Sequence, residues 1–333
     1  MYFLKQSSLI LPLFNEKSSK SIIQIIFNKF NISNIRSLKR FLFIILLSTS
    51  LIINLFYFFS NNSYFDSSII FPYKIESDND NGNIIPQPPH PELLDLIIVA
   101  GHAIFIGNDI NKADKDEGWI LEDFQKGREQ VKTILNHIRK GLELVENNKD
   151  ALLIFSGGQT RPLAGPKSEA QSYWEIVYTT QSLETSQLLT SRITTEEFAR
   201  DSYENFLFSI CRFHEFTGNY PRNITIVGFD FKRKRFIEFH RAALKFPLER
   251  FEYVGIDPET SSLSTFVGEN LNSLGPFQED IYGCHGKLRD KKLLRNPFRR
   301  IHPYLQSCPE ISSLINYCPK NKTTIYPGKL PWE

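Results

Sequence analysis

Between residues 94 and 255 short apolar runs alternate with longer segments whose apolar residues recur every three or four positions. The runs are Leu94–Ala100, Ala151–Phe155, the weaker Arg192–Thr195, Asn223–Gly228 and Phe251–Gly255. The patterning between them predicts helices over about 120–146, from Ser168, from Asp201 to about Phe216, and from about Lys232 to Phe246. A strand buried on both faces reads as a continuous apolar run, and a helix in each connection is long enough to bring the next strand back parallel. The expected fold is therefore α/β, a mainly parallel sheet of about five strands covered on both faces.

The front of the chain has a different character. Before residue 41 seven Lys or Arg face one acid, Glu16, although the whole chain carries only +2. This basic segment, residues 1–40, leads into Phe41–Phe59, a run without a charged residue and long enough to cross a bilayer as a helix. Asp66, Glu76, Asp78 and Asp80 follow it. The positive-inside rule then keeps the N-terminus cytosolic and places the main domain in the lumen of the endoplasmic reticulum or Golgi, as a single-pass type II protein. The alternative is a mitochondrial presequence before an inner-membrane anchor, because residues 1–40 are Ser-rich and acid-poor. Residues 60–92, rich in Asn, Asp, Ser and Pro, read as a stalk, 93–258 as the α/β domain, and 259–333 as an extension packed on it. Asn223 and Asn321 stand in glycosylation sequons, with Asn321 the better acceptor. The small net charge gives no reason to expect nucleic acid.

Ligands of open α/β sheets bind at the carboxyl ends of the strands. Those ends carry Gly101-His102, Ser156-Gly157-Gly158, Thr195-Glu196, then Gly228, Asp230 and Lys232, then Gly255 and Asp257. The stretch from Ala151 to Arg161 reads as a buried strand ending in a Ser-Gly-Gly turn, with a helix start at Ser168-Glu-Ala-Gln171 seven residues beyond Arg161. Paired glycines let backbone amides turn toward one point, so strand, turn and helix start together suggest a phosphate cradle. Lys232-Arg-Lys-Arg235 opens the fourth helix, where cations are unfavourable unless an anion is bound.

Several polar residues have simpler roles. Ser168 with Gln171, and Asp201 with Glu204, fit capping boxes. His240 shares a stripe with Phe236 and Ala243 and reads as core, whereas His102, at a strand end, is the better catalytic candidate. Glu169 and Glu196 are candidate acids or bases, Asn205 is a polar residue inside a helix, and Asp230 is the candidate ligand for a divalent metal. Of the four cysteines, Cys211 reads as core; Cys284, Cys308 and Cys318 can supply one disulfide, and Cys308–Cys318 closes the shortest loop.

Taken together, Ser156-Gly157-Gly158, Ser168-Glu169-Ala170, Glu196, Ser202-Tyr-Glu204-Asn205 and Gly228-Phe-Asp-Phe-Lys-Arg-Lys-Arg235 resemble the DUF218, or YdcF-like, family, whose bacterial branch includes SanA- and ElyC-type envelope proteins. Trp119, Phe155–Arg161, Ser168–Tyr173, Tyr282-Gly-Cys284, Arg295-Asn-Pro-Phe298 and Cys308-Pro-Glu310 are similar to its eukaryotic members. Ser202, Asp201 and Lys232 depart from the usual Thr, Asn and His. The resemblance covers about residues 93–320 and implies a Rossmann-like three-layer αβα fold, often with a membrane anchor. It carries no settled reaction.

The expected function is binding of a phosphorylated or nucleotide-linked metabolite, with Gly101, Ser156, Gly157, Gly158, Arg161, Ser168, Asn205, Lys232 and Arg235 holding it. Glu169, Glu196 and His102 would do the chemistry, hydrolysis or transfer in glycan or lipid-carrier metabolism. A ligand-binding or assembly protein without turnover is the alternative. No G-x-S-x-G elbow and no dinucleotide fingerprint is present.

Overall fold

Seven strands organise the described residues: β1 (Asp95–Ala100), β2 (Ile104–Phe105), β3 (Trp119–Ile120), β4 (Ala151–Ser156), β5 (Ile193–Glu196), β6 (Asn223–Gly228) and β7 (Phe251–Gly255). The computed structural model describes residues 43, 46–54, 90–107, 109–180, 191–259 and 267–333. Five strands form one all-parallel sheet in the order β5-β4-β1-β6-β7, while β2 and β3 make a separate antiparallel pair.

The continuous apolar runs are explained by burial on two sides. Leu96, Ile98 and Ala100 of β1 enter one cluster with Phe206, Ile210 and Phe213 of helix α3 (Ser202–Thr217). Ile97 and Val99 enter the other, with Ile134 and Ile138 of α1 (Gln130–Asn147) and Tyr173 and Val177 of α2 (Glu169–Thr180). Each fully buried side chain of this kind contributes roughly 1.5–3 kcal/mol. Strands lead from β1 to β4 and β5 on one side, then to β6 and β7 on the other. The winding therefore reverses between β1 and β6, which puts the ligand crevice of such a sheet at their carboxyl ends.

Two helices differ from the sequence expectation. The first begins at Gln130 rather than near 120, because Trp119 and Ile120 pair with β2 and Glu129 adopts a left-handed conformation just before the helix. The expected helix from Lys232 to Phe246 is instead a 3-10 turn (Asp230–Lys232), a π-helical turn (Arg235–His240) and a short α segment (Arg241–Ala243). The π turn buries both Arg235 and His240.

The extension packs on the α3 face of the sheet. Phe277, Tyr282, Leu288, Tyr304, Ile311 and Trp332 all belong to the apolar cluster that contains Phe206. It carries helix α4 (Gly286–Leu294) and several shorter helical turns. The disulfide joins Cys284 to Cys318, not Cys308 to Cys318. Cys308 is buried in the core that also holds Cys211 while Cys318 is exposed, so packing overrides loop length.

The chain divides into two units, Met1–Pro72 and Tyr73–Glu333. In the first, residues 46–54 are helical and all exposed, and apart from Phe43 the rest of the 41–59 run lies outside the described residues. Segments 1–40 and 60–89 lie outside them as well. Among the described residues no helix is long and apolar enough to cross a membrane.

Candidate functional site

The crevice between β1 and β6 is spanned by one contact. His102 follows β1, Lys232 closes the turn after β6, and Lys232 Nζ lies 3.1 Å from His102 Nδ1. Burial first, then Arg235, pushes the Lys232 ammonium down to about 7. Burial and the nearby Lys232 hold His102 well below the usual histidine range. With Lys232 donating to Nδ1, His102 Nε2 carries the ring proton, and this buried atom has no hydrogen-bond partner among the described residues.

Further cations gather around this pair. Arg161, on the loop after β4, pairs with Glu122 but leaves a buried Nε without a partner among the described residues. Arg235 sits 3.3 Å from Glu269, both nearly inaccessible, and its Nε also finds no partner among the described residues. The extension supplies two more cations. Lys291 of α4 is pushed down to about 8 by burial and by Arg295 and Arg235. Arg295, the C-cap of α4, is lowered chiefly by burial and feels Glu169, Arg161, Asp201 and Glu122. These mutual influences tie His102, Arg161, Lys232, Arg235, Lys291 and Arg295 into one region at the strand ends.

Glu169 is the carboxylate of this region. It lies in the first turn of α2, 7% exposed, and its Oε1 accepts from Thr160 Oγ1. Its Oε2 rests against two bare glycines: a Cβ on Gly101 would stand 2.5 Å from it, and one on Gly157 2.7 Å. Oε2 has no hydrogen-bond donor among the described residues. Tyr173, one turn along α2, accepts the His102 amide at 3.0 Å, which fixes the start of the β1 loop beside Glu169.

The glycine turn therefore works differently from the cradle expected of it. The Gly157 amide donates to Glu196 O at 3.0 Å and the Gly158 amide to Ala199 O at 2.7 Å. The amides opening α2 are occupied too: Glu169 N and Ala170 N reach Gly158 O and Gly157 O, and Gln171 N reaches Ser168 Oγ. Gly101 and Gly157 admit the Glu169 carboxylate, and Gly158 admits the Ala199 carbonyl, 2.7 Å from where a Cβ would sit. The glycines give space; they do not present free donors.

Glu196, expected as an acid or base, is engaged on every side instead. It is fully buried, and its carboxylate accepts from Phe198 N (2.7 Å), Ala199 N (3.2 Å), Ser156 Oγ (2.9 Å) and Tyr304 OH (3.0 Å). Four donors fill the places a carboxylate offers. Burial nonetheless pushes its acid up to about 7. Ser156 Oγ lies 3.2 Å from Asn205 Oδ1, so Ser156, Glu196 and Asn205 form an internal network that fixes the β5–α3 turn and clamps the extension through Tyr304. Ser168 caps α2 and donates to Glu197. Both capping boxes are half-formed: Gln171 reaches Glu175 and Glu204 reaches Arg200.

The basic run opening the fourth helical segment splits in two. Lys232 and Arg235 point inward, whereas Arg233 holds Asp230 at 2.8 Å and Lys234 faces Glu238. Asp230 is thus paired with a cation, and among the described residues no cluster of three metal-ligating side chains includes it. Lys291 and Glu269 join the site without a sequence signal that singles them out, whereas Tyr173 and Arg295 stand in the Ser168–Tyr173 and Arg295-Asn-Pro-Phe298 stretches noted from the sequence. Among the described residues, a cleft of about 220 Å³ lies between α3 and the extension, including Glu204 and Lys292, and another of about 580 Å³ lies beside β5, including Trp174 and Phe216. Neither touches the cation cluster. It is the chemistry of the strand ends, not cavity size, that marks the candidate site.

No family model and no solved structure matches the chain. A protein of Saccharomyces cerevisiae, "Uncharacterized protein YOR238W", is 32% identical to it over 297 residues, spanning 73% of this chain and 98% of the yeast protein.

Proposed function

This chain belongs to the same family as the yeast protein, and we propose that it binds a phosphorylated or nucleotide-linked small molecule at the carboxyl ends of β1 and β6 and hydrolyses or transfers it. The observation that carries this reading is the set of buried nitrogens without partners among the described residues, His102 Nε2, Arg161 Nε and Arg235 Nε, set among Lys232, Lys291 and Arg295. Buried unsatisfied donors are costly, and an anion held between them would satisfy several at once. Glu169, with one oxygen steadied by Thr160, would take the proton from the attacking water or acceptor hydroxyl, while the cations stabilise charge on the transferred group. Glycan and lipid-carrier intermediates are the substrate classes that suit such a protein near a membrane.

A second reading, an assembly or ligand-binding protein without turnover, draws support from the saturation of Glu196, which leaves Glu169 as the one carboxylate of the two with an oxygen unengaged. Calorimetric titration with nucleotides, sugar phosphates and prenyl phosphates decides between them. Binding that survives in Glu169→Gln while turnover is lost supports the enzyme. Binding equally tight in Lys232→Met and Arg295→Met removes the site.

Membership of the DUF218 family and a Rossmann-like description remain part of this proposal, supported by the sheet order and by Ser156-Gly157-Gly158 and Glu169 meeting at the strand ends. We also propose that residues 41–59 anchor the chain in the membrane as a type II span, with the mitochondrial inner membrane as the alternative address. Exposure of Leu46, Leu47, Leu51, Ile52 and Ile53 on one short helix supports it, since so much bare apolar surface is unfavourable in water.

A further inference from the structure

A second group of chemically capable side chains converges at the start of α4, apart from the strand ends. Cys284 and Cys318 are joined there, and beside their sulfurs lies the ring of His285, the N-cap residue of α4. His285 Nδ1 stands 3.2 Å from Cys284 Sγ and 3.7 Å from Cys318 Sγ, and Nε2 stands 3.6 Å from Cys318 Sγ. One ligating atom from each of the three lies within 4.8 Å of the other two. Asp280 backs the ring: its Oδ2 accepts the His285 amide at 2.8 Å and its Oδ1 lies 3.4 Å from Nδ1. Cys284 and His285 are half-buried and Cys318 is exposed, so solvent species can reach the group.

Tetrahedral zinc, with bonds of about 2.3 Å to sulfur and about 2.0–2.1 Å to nitrogen, sets sulfur and nitrogen ligands about 3.5 Å apart and two sulfurs about 3.8 Å apart. The separations of His285 Nδ1 from the two sulfurs, 3.2 and 3.7 Å, already lie on either side of that value. Only the two sulfurs must part. We propose that Cys284, His285 and Cys318 form a redox-gated zinc site, closed by the disulfide when oxidised and loaded with Zn²⁺ when reduced. In the opening step a dithiol reductant delivers two electrons to the S–S bond and two protons to the separated sulfurs, and itself leaves as a disulfide. Zn²⁺ then replaces the two thiol protons, the imidazole gives a lone pair, and water takes the fourth position. Asp280 Oδ2, which accepts the His285 amide at 2.8 Å, holds the backbone that carries the ligating Nδ1.

The same helix connects this group to the strand ends. Lys291 and Arg295, which enter the cation cluster, lie on and just after the helix that His285 caps. Disulfide or metal holds that helix, so the chain keeps it fastened in either an oxidising or a reducing compartment.

The test uses the full chain in detergent without a histidine tag, reduced anaerobically with a phosphine that does not chelate metal. Zinc affinity is read by competition with a chromophoric chelator, and Co²⁺ serves as a spectroscopic probe of thiolate coordination. The proposal expects one equivalent of metal in the reduced chain, none in the oxidised chain, and a thiolate-to-cobalt absorption band. Cys284→Ser, Cys318→Ser and His285→Ala each remove a ligand and should each weaken binding by more than roughly 100-fold, beyond what an outer-shell change does. Comparison of the oxidised and reduced wild-type chains is decisive even if a variant fails to fold. Equal zinc binding in both redox states, no binding in the reduced chain, or cobalt bound without the thiolate band would overturn it.

Discussion

Raising the pH from 7 to 9 should weaken phosphate-ligand binding, and Lys232 sets the size of the effect. Burial, reinforced by Arg235, pushes its ammonium down to about 7 in the free protein. A bound anion favours the charged amine and restores its pKa upward, so binding near and above neutrality takes up a proton. Affinity is then lost as pH climbs through the free-protein value, until the pKa of the complex is reached. With about half of Lys232 charged at pH 7 and about 1% at pH 9, Lys232 alone should raise the dissociation constant roughly 50-fold, or about 2.3 kcal/mol at 1.36 kcal/mol per tenfold, and Lys291 adds to that. Phosphate monoesters are already dianionic over most of this range, so the ligand adds little slope of its own. Calorimetry at pH 7, 8 and 9 in buffers of different ionisation enthalpy measures both the affinity and the proton taken up. Lys232→Arg keeps its charge throughout and Lys232→Met has none to lose. Both should keep only the shallower slope, at most about tenfold, that Lys291, pushed down to about 8, contributes, and Lys232→Met should also bind weakly. A flat wild-type profile, or the same slope in Lys232→Met, refutes the reasoning.

Gly101→Ala should lower stability by about 1–3 kcal/mol in urea melts, because its Cβ would stand 2.5 Å from Glu169 Oε2 and 2.7 Å from the Ser156 carbonyl. Glu196→Ala strands two hydroxyls and two amides, and should cost about 3 kcal/mol or more in the same assay. Because its folded pKa is raised, the contribution of Glu196 is fully present below pH 4.5 and declines as pH rises to about 7, so Glu196→Gln should flatten the stability profile across that window. Lys291→Ala and Arg295→Ala should each weaken phosphate-ligand binding about tenfold or more, as seen by titration, with circular dichroism unchanged. Asn321 is exposed whereas Asn223 is tied to Asp95, so expression in a eukaryotic host should give a glycosidase-sensitive band that Asn321→Gln removes.

The sheet was legible because its strands are buried on both faces, which forces runs such as Ala151–Phe155 to be apolar without interruption. The strand ends were legible as a place for the same reason: polar residues and glycines crowd where those runs stop. What the residues do there was less so. Gly157 and Gly158 look alike whether their amides face a ligand or their missing side chains make room for Glu169 and Ala199, and only contacts across the fold separate the two. Glu196 reads as a reactive carboxylate until Tyr304, more than a hundred residues away, is seen to close its hydrogen-bond shell. Lys291 and Arg295 sit in a basic segment with no periodic face, so nothing local tells which cations turn inward. Cys284–Cys318 likewise depends on how the extension folds back, which loop length does not encode.

The most direct test of the central claim is a structure of the chain soaked with the tightest phosphate-bearing ligand from the titration panel. The account predicts the phosphate between β1 and β6, with oxygens in hydrogen-bond reach of Lys232 Nζ and of His102 Nε2 or Arg235 Nε, and Glu169 facing the reacting atom. Phosphate bound instead in the cleft beside β5 near Trp174, or between α3 and the extension near Lys292, would contradict it.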